Sequence, residues 1–154
     1  MSRARRAWAE AVVGLALGAV FVYASLDKIA KPLDFARILY HYQVIGPSAT
    51  IPPLAPNLVA VTLPWVELVA GLMLIVGVLR REAAAVVGVL LVVFLAAVGS
   101  ALYRGIDIEN CGCFTVGGEG RRAGLLLIVS DLALLAAAAF LLRPRPLTST
   151  GPDA

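Results

Sequence analysis

Four long apolar segments, separated by short polar ones, constrain the fold of this chain more than any other feature. They cover residues 7–26, 58–79, 83–102 and 124–142. Runs of about 18 or more apolar residues are long enough to cross a lipid bilayer as helices. Hydrophobic residues make up 60% of the chain and charged residues only 15%, which leaves little sequence for a soluble domain. The pattern predicts an all-α polytopic membrane protein, with one four-transmembrane-helix bundle over residues 1–142.

The distribution of arginine predicts how this bundle lies in the membrane. One side carries seven arginines in very short segments: Arg3, Arg5, Arg6, Arg80, Arg81, Arg143 and Arg145. The loops on the other side, residues 27–57 and 103–123, carry six cations diluted by five acids. Because positive residues favour the cytoplasmic side, both termini are predicted to be cytoplasmic and both loops extracytoplasmic. Residues 143–154 are predicted to form a disordered cytoplasmic tail. Arginines that flank the spans also explain the net charge of +3 without a nucleic-acid surface.

Both cysteines of the chain, Cys111 and Cys113, lie in the second of these loops, one residue apart. Such a pair can close a small strained disulfide ring, and Gly112 gives the backbone freedom that the ring needs. A structural disulfide normally closes a long loop, whereas strained disulfides are the ones that exchange. We therefore interpret the pair as a redox-active dithiol. A soft-metal thiolate site and an inert pair of small buried residues remain alternatives.

Two acidic residues lie inside the predicted spans. Glu67 is about 13 Å below the outer end of the second span, and Asp131 is about 10 Å below that of the fourth. An acid at such a depth is unfavourable unless it faces the bundle interior, a partner or water. Their similar depth predicts a polar pocket below the cysteine loop, although Glu67 could instead make a structural hydrogen bond. Asp27 and Lys28, which close the first span, are either anchors at the membrane boundary or residues that line an outward cavity.

Three local patterns refine this picture. Residues 33–42 have the apolar spacing of a short helix that lies in the membrane interface. Gly14 and Gly18 form a GxxxG pattern, which suits close packing between membrane helices. The basic N-terminus followed by an apolar run also has features of a secretory signal peptide, but the run is long for a signal core.

Several short motifs follow one another along nearly the whole chain. They are Tyr23-Ala24-Ser25-Leu26-Asp27-Lys28, Leu63-Pro64-Trp65-Val66-Glu67-Leu68, Arg104-Gly105, Cys111-Gly112-Cys113-Phe114 and Asp131. In this order and spacing the chain resembles the DoxX-like membrane family, in particular its methylamine-utilisation, MauE-like branch. The resemblance implies a four-helix protein of the bacterial inner membrane that serves periplasmic disulfide chemistry beside a thioredoxin-like partner. Thr115 departs from the family pattern, in which glycine often follows this phenylalanine.

Together these features predict an integral membrane thiol–disulfide redox protein that supports the maturation of disulfide-containing proteins. Cys111 and Cys113 would exchange disulfides with an extracytoplasmic thioredoxin-like protein or a disulfide-rich client. Glu67 and Asp131 would move the accompanying protons. A quinone is a candidate electron acceptor, although no recognisable quinone site is present, and whether the chain is itself an enzyme stays open. The alternatives are a non-enzymatic scaffold or accessory subunit of a redox complex, and a copper-handling membrane protein. The copper alternative is weakened because the chain has only two methionines and one histidine.

Overall fold

Five α-helices make up the part of the chain that the computed structural model describes, residues 3–41, 55–103 and 125–143. They are α1 (Arg3–Ala30), α2 (Pro32–His41), α3 (Ala55–Val76), α4 (Arg80–Tyr103) and α5 (Leu125–Leu142). Helices α1, α3 and α4 are long and apolar enough to cross a membrane, and α5 contains a shorter apolar stretch, Ile128–Leu142. The predicted all-α polytopic membrane fold is therefore confirmed.

Helices α1 and α3 run antiparallel and approach so closely that their backbones touch. A methyl group on Gly18 would lie 2.6 Å from the carbonyl oxygen of Gly71, and one on Gly71 would lie 3.0 Å from that of Gly18. Only a hydrogen atom fits at either position, which is how small residues bring membrane helices together. The predicted role of the GxxxG pattern is confirmed at Gly18.

An apolar core surrounds this contact and extends toward the α3–α4 turn. Four helices contribute to it, with the residues Leu17, Phe21, Ala70, Leu74, Ala83, Ala84, Val87, Leu91, Ala138 and Leu141. The alanines of α4 and α5 let these helices pack closely, as expected where lipid rather than water is the solvent. Large apolar side chains also cover the outside of the bundle, among them Val12, Leu15, Val69, Val89, Val93 and Leu132. This exterior suits contact with lipid chains.

Helix α2 follows α1 almost without a break and packs against α3 and α1. The backbone N–H groups of Lys31 and Phe35 donate to the carbonyls of Asp27 and Lys31, at 3.1 and 3.2 Å, so the hydrogen-bonded ladder continues through the junction. Phe35 is buried on the inner face of α2, whereas Leu33 is exposed. The predicted short helix is thus confirmed as Pro32–His41, and it covers the C-terminal end of α1. Its position in the membrane interface stays a prediction.

A tight turn joins α3 to α4 at the opposite end. Gly77 has φ of 82° and Leu79 has φ of 48°, so the backbone enters the left-handed region directly after Val76. For this reason α3 ends before residue 79, the limit predicted for the second span. Arg81 Nη2 donates to the Leu142 carbonyl at 3.2 Å, and Arg6 Nη2 donates to that of Arg143 at 3.5 Å. The start of α1, the α3–α4 turn and the end of α5 therefore meet at one end of the bundle, which we call the arginine end.

The contact between Gly18 and Gly71 predicts a clear effect of one added methyl group. Gly18→Ala should lower the free energy of unfolding by about 1–3 kcal/mol, since the methyl group meets rigid backbone of α3. Gly99→Ala is the matched control, because a Cβ at Gly99 would meet nothing within 4 Å. That variant should be neutral or more stable, as alanine favours a helix over glycine. Equilibrium unfolding in mixed detergent micelles measures both, and equal behaviour of the two variants would contradict the contact.

Candidate functional site

A lysine and a glutamate form a buried ion pair between α1 and α3. Lys28 Nζ lies 2.8 Å from Oε1 and 2.7 Å from Oε2 of Glu67, so the ammonium group donates to both carboxylate oxygens. Lys28 is 5% exposed and Glu67 is 7% exposed, which shows that the protein encloses the pair on nearly all sides. Each group thereby supplies the opposite charge that the other needs in an apolar surrounding.

The helix geometry directs the two side chains toward each other. Helical side chains tilt toward the N-terminus of their own helix. Because α1 and α3 are antiparallel, Lys28 in the last turn of α1 tilts back into the bundle, and Glu67 tilts toward the end where Lys28 lies. Helix α2 then encloses the lysine, and Nζ lies 5.3 Å from the centroid of the Phe35 ring. The face of that ring attracts the cation in addition to the carboxylate.

The burial of this pair distinguishes it from the charged pair beside it. Asp27 and Lys31 lie 3.2 Å apart, but their side chains are 23% and 41% exposed. Ion pairs that water reaches contribute only about 0–1 kcal/mol. A buried pair behaves differently, because removal of one partner leaves an uncompensated charge in a medium of low dielectric constant. Lys28 therefore belongs to the interior of the bundle, whereas Asp27 lies at its boundary.

Asp131 of α5 is a second buried acid near the same lysine. It is 2% exposed and lies within electrostatic range of the Lys28 ammonium group. Its Oδ2 makes no hydrogen bond with any group in the described part of the chain. Both hydrogen bonds from Lys28 to carboxylate oxygens go to Glu67. One buried ammonium group thus faces two carboxyl groups and is bonded to only one of them.

The structure brings together two of the four predicted site residues, Glu67 and Asp131, around one lysine. The other two, Cys111 and Cys113, lie outside the described residues. The chemical roles of all four stay predictions. Within the described ranges no group of three or more His, Cys, Asp or Glu side chains could hold a metal ion. The copper-handling alternative depends on the cysteine pair, and it too stays a prediction.

Sequence reasoning placed Lys28 at the membrane boundary and missed its contact with Glu67. One signal could have found it, because Leu17, Phe21, Ala24 and Lys28 recur at spacings of four and three residues and are all buried. Lys28 thus continues the inward stripe of α1. An inward lysine at the end of one span is a natural partner for an acid within the next.

The ion pair predicts non-additive effects of mutation. Lys28→Met and Glu67→Leu should each lower the free energy of unfolding by about 3–5 kcal/mol, because each leaves one buried charge without its partner. The double variant should lose less than the sum of the two single variants. Unfolding in mixed micelles measures all three. Lys31→Met is the control, with an expected loss of about 1 kcal/mol or less. Strictly additive losses would contradict a coupled pair.

The chain is similar in sequence to proteins of one known family. The profile of the family described as "Methylamine utilisation protein MauE" matches residues 6–144. A methylamine utilization protein MauE of Paracoccus denitrificans is 34% identical over 122 residues, which cover 79% of this chain and 62% of that protein. One of Methylophilus methylotrophus is 29% identical over 115 residues, which cover 75% of this chain and 57% of that protein. The chain spans about three fifths of the length of these curated relatives.

No solved structure matches the chain. The family profile nevertheless covers the sequence from the first turn of α1 to just beyond the end of α5. It therefore includes Lys28, Glu67 and Asp131 as well as the segment that contains both cysteines. On this match, the chain belongs to the MauE family of methylamine utilisation proteins.

Proposed function

We propose that this chain is an accessory membrane protein that exchanges disulfides with extracytoplasmic proteins through Cys111 and Cys113. By analogy with the name of its relatives, the proteins that it helps to mature would serve methylamine utilisation. The redox partner would be a thioredoxin-like protein or a disulfide-rich client. The proposal assigns the chain no reaction on methylamine itself.

The position of the buried charged cluster, Lys28, Glu67 and Asp131, is the observation that carries this proposal. Helix α4 ends at Tyr103 and α5 begins at Leu125, so the segment with both cysteines leaves and re-enters the bundle at the end opposite to the arginine end. Asp131 lies about 9 Å along α5 from its start. The cluster therefore lies near the helix ends that flank the cysteine segment. A dithiol reaction releases and takes up protons, and ionisable groups close to it support this use.

The bonds that form and break in the exchange involve only the two thiols and a partner disulfide. The thiolate of one cysteine attacks a sulfur of the partner disulfide, which forms a mixed disulfide and releases one partner thiolate. The second cysteine attacks the mixed bond, which forms the Cys111–Cys113 disulfide and releases the other partner thiolate. Two electrons pass to the partner, and its two thiolates take up the two protons that the cysteines lost. The reverse sequence oxidises the partner.

Within the cluster, we assign proton exchange to Asp131 and charge compensation to Glu67. Glu67 is bonded to Lys28 through both oxygens, so a proton on Glu67 would disrupt the ion pair. Asp131 forms no ion pair with Lys28, and its Oδ2 makes no hydrogen bond in the described part of the chain, so a proton can exchange there while the pair stays intact. Lys28 acts as a positioning residue, because its positive charge acts on both carboxyl groups.

The proposal also includes an orientation in the membrane and a relationship to a broader protein family. We place the chain in the bacterial inner membrane, with both termini in the cytoplasm and the cysteine loop outside. The reason is that the excess of arginine lies at the end of the bundle that holds the two termini, and positive residues favour the cytoplasmic side. An oxidising compartment on the cysteine side would allow the disulfide to persist. We also place the chain within the broader DoxX-like group, on the motifs that close the first span and open the second.

A trapped intermediate tests the exchange reaction. Removal of the cysteine that resolves the mixed disulfide should leave the partner covalently attached. Cys111→Ala or Cys113→Ala, but not the double variant, should therefore accumulate an adduct that a reductant cleaves. Non-reducing gels and mass spectrometry of cross-linked extracytoplasmic proteins detect it. If neither variant traps a partner and both support normal disulfide formation in cells, the exchange proposal is wrong and a scaffold role replaces it.

Asp131→Asn tests the proton assignment. The substitution keeps the size of the side chain and its capacity for hydrogen bonds but removes ionisation. We expect roughly a 10²-fold or greater loss of disulfide-exchange rate, the usual range for a lost proton-transfer group, with the amount of folded protein unchanged. Asp34→Asn is the matched control, because Asp34 is a partly exposed acid of α2 whose carboxylate pairs with Arg37. An unchanged rate in Asp131→Asn would remove this residue from the mechanism.

A further inference from the structure

The arginine end contains a cavity that the disulfide proposal does not use. Its volume is about 290 Å³, and it lies between the start of α1, the α3–α4 turn and the end of α5. Gly77 and Leu141 line it together with three arginines and two glutamates. These charged residues are Arg80, Arg81, Arg143, Glu10 and Glu82. A water molecule occupies about 30 Å³ in the liquid, so the cavity has room for a polyatomic ligand.

The Arg80 guanidinium group is built into the wall of this cavity. A methyl group on Gly77 would lie 2.7 Å from its Nη2, and one on Gly14 would lie 3.3 Å from its Nε. Gly77 also has φ of 82°, where other residues are strained. Two glycines thus leave space for the guanidinium group against α1 and the turn. Its Nε is buried and has no acceptor among the described residues. A buried charged donor without an acceptor is unfavourable, and an anion in the cavity would offset the charge of this guanidinium group.

The charges around the cavity also favour an anion. The carboxylate of Glu10 is already bound by Arg6, at 3.0 Å from Nε to Oε1. No ion pair joins Arg80, Arg81 or Arg143 to a carboxylate within the described ranges. Among the described residues that line the cavity, Glu82 is therefore the one carboxylate left to balance three guanidinium groups. Guanidinium groups bind phosphate oxygens through strong, geometrically matched hydrogen bonds.

We propose that this cavity binds a phosphate group at the membrane surface, carried by an anionic phospholipid headgroup or by free phosphate. The cavity lies where the spanning helices end, which is the depth of phospholipid headgroups, and basic pockets between membrane helices are suited to them. The site is independent of Cys111 and Cys113, because it lies at the end of the bundle opposite to Tyr103 and Leu125, the helix ends that flank the cysteine segment.

Binding to the purified full chain in zwitterionic detergent micelles tests this site, with phosphatidylglycerol as one probe and inorganic phosphate as the other. Native mass spectrometry gives the occupancy of the lipid, and the shift in unfolding temperature reports both probes. Arg80→Gln should weaken binding roughly tenfold, as expected for one lost charge-assisted interaction. Arg143→Gln should also weaken binding. Because Arg143 is exposed, this variant should fold, and it keeps the test valid if Arg80→Gln does not.

Arg37→Gln is the charge-matched control, because it removes one arginine on α2, where the side chain is 77% exposed. It should bind both probes like the wild type. Arginine-dependent binding of phosphatidylglycerol supports a lipid headgroup, and arginine-dependent binding of inorganic phosphate alone supports a soluble source. Equal losses in Arg37→Gln and the cavity variants, or no binding of either probe, would overturn the site. Because Cys111→Ala should retain binding, failure here leaves the disulfide proposal intact.

Discussion

The ion pair between Lys28 and Glu67 is the interaction on which one end of this bundle depends. Lipid and packed apolar side chains give an isolated charge no compensation, so a lysine or a glutamate is tolerated there only with its partner in place. The pair in turn requires α1 and α3 to stay antiparallel and in register. The contact of Gly18 with Gly71 fixes that register, and α2 closes over the lysine with Phe35.

The two ends of the bundle are built by different physical means. Toward the arginine end, close packing of alanine, leucine and valine fills the interior, and arginine side chains tie the helix ends together by hydrogen bonds to backbone carbonyls. At the other end, charges occupy positions that apolar side chains could have filled. Replacement of a buried ion pair by apolar residues of similar size is often neutral or stabilising. The charged cluster therefore supports the proposed chemistry at this end, because stability alone does not require these charges.

The fold was largely predictable from the sequence, whereas the site was predictable only in part. Long apolar runs define spanning helices because the bilayer demands internal hydrogen bonding, and no tertiary detail is needed to see this. Glu67 and Asp131 stood out because acids are rare in such runs. Lys28 did not stand out, because a lysine at a helix end normally reaches toward water. Its burial also depends on α2, whose position over the end of α1 is a tertiary feature. The early end of α3 likewise depends on the left-handed backbone at Gly77 and Leu79.

The spacing of the charged cluster along the chain has a consequence for biogenesis. Lys28 and Glu67 are separated by 39 residues and lie in α1 and α3, which leave the ribosome before α4 and α5. If these helices enter the bilayer together as a hairpin, each charge is neutralised before α4 and α5 are made. Asp131 arrives last, on the shorter apolar stretch of α5, and meets a lysine that is already engaged. The order of synthesis thus lets the earlier acid pair with the lysine and leaves the later one without an ion pair in the part of the chain that the structure describes.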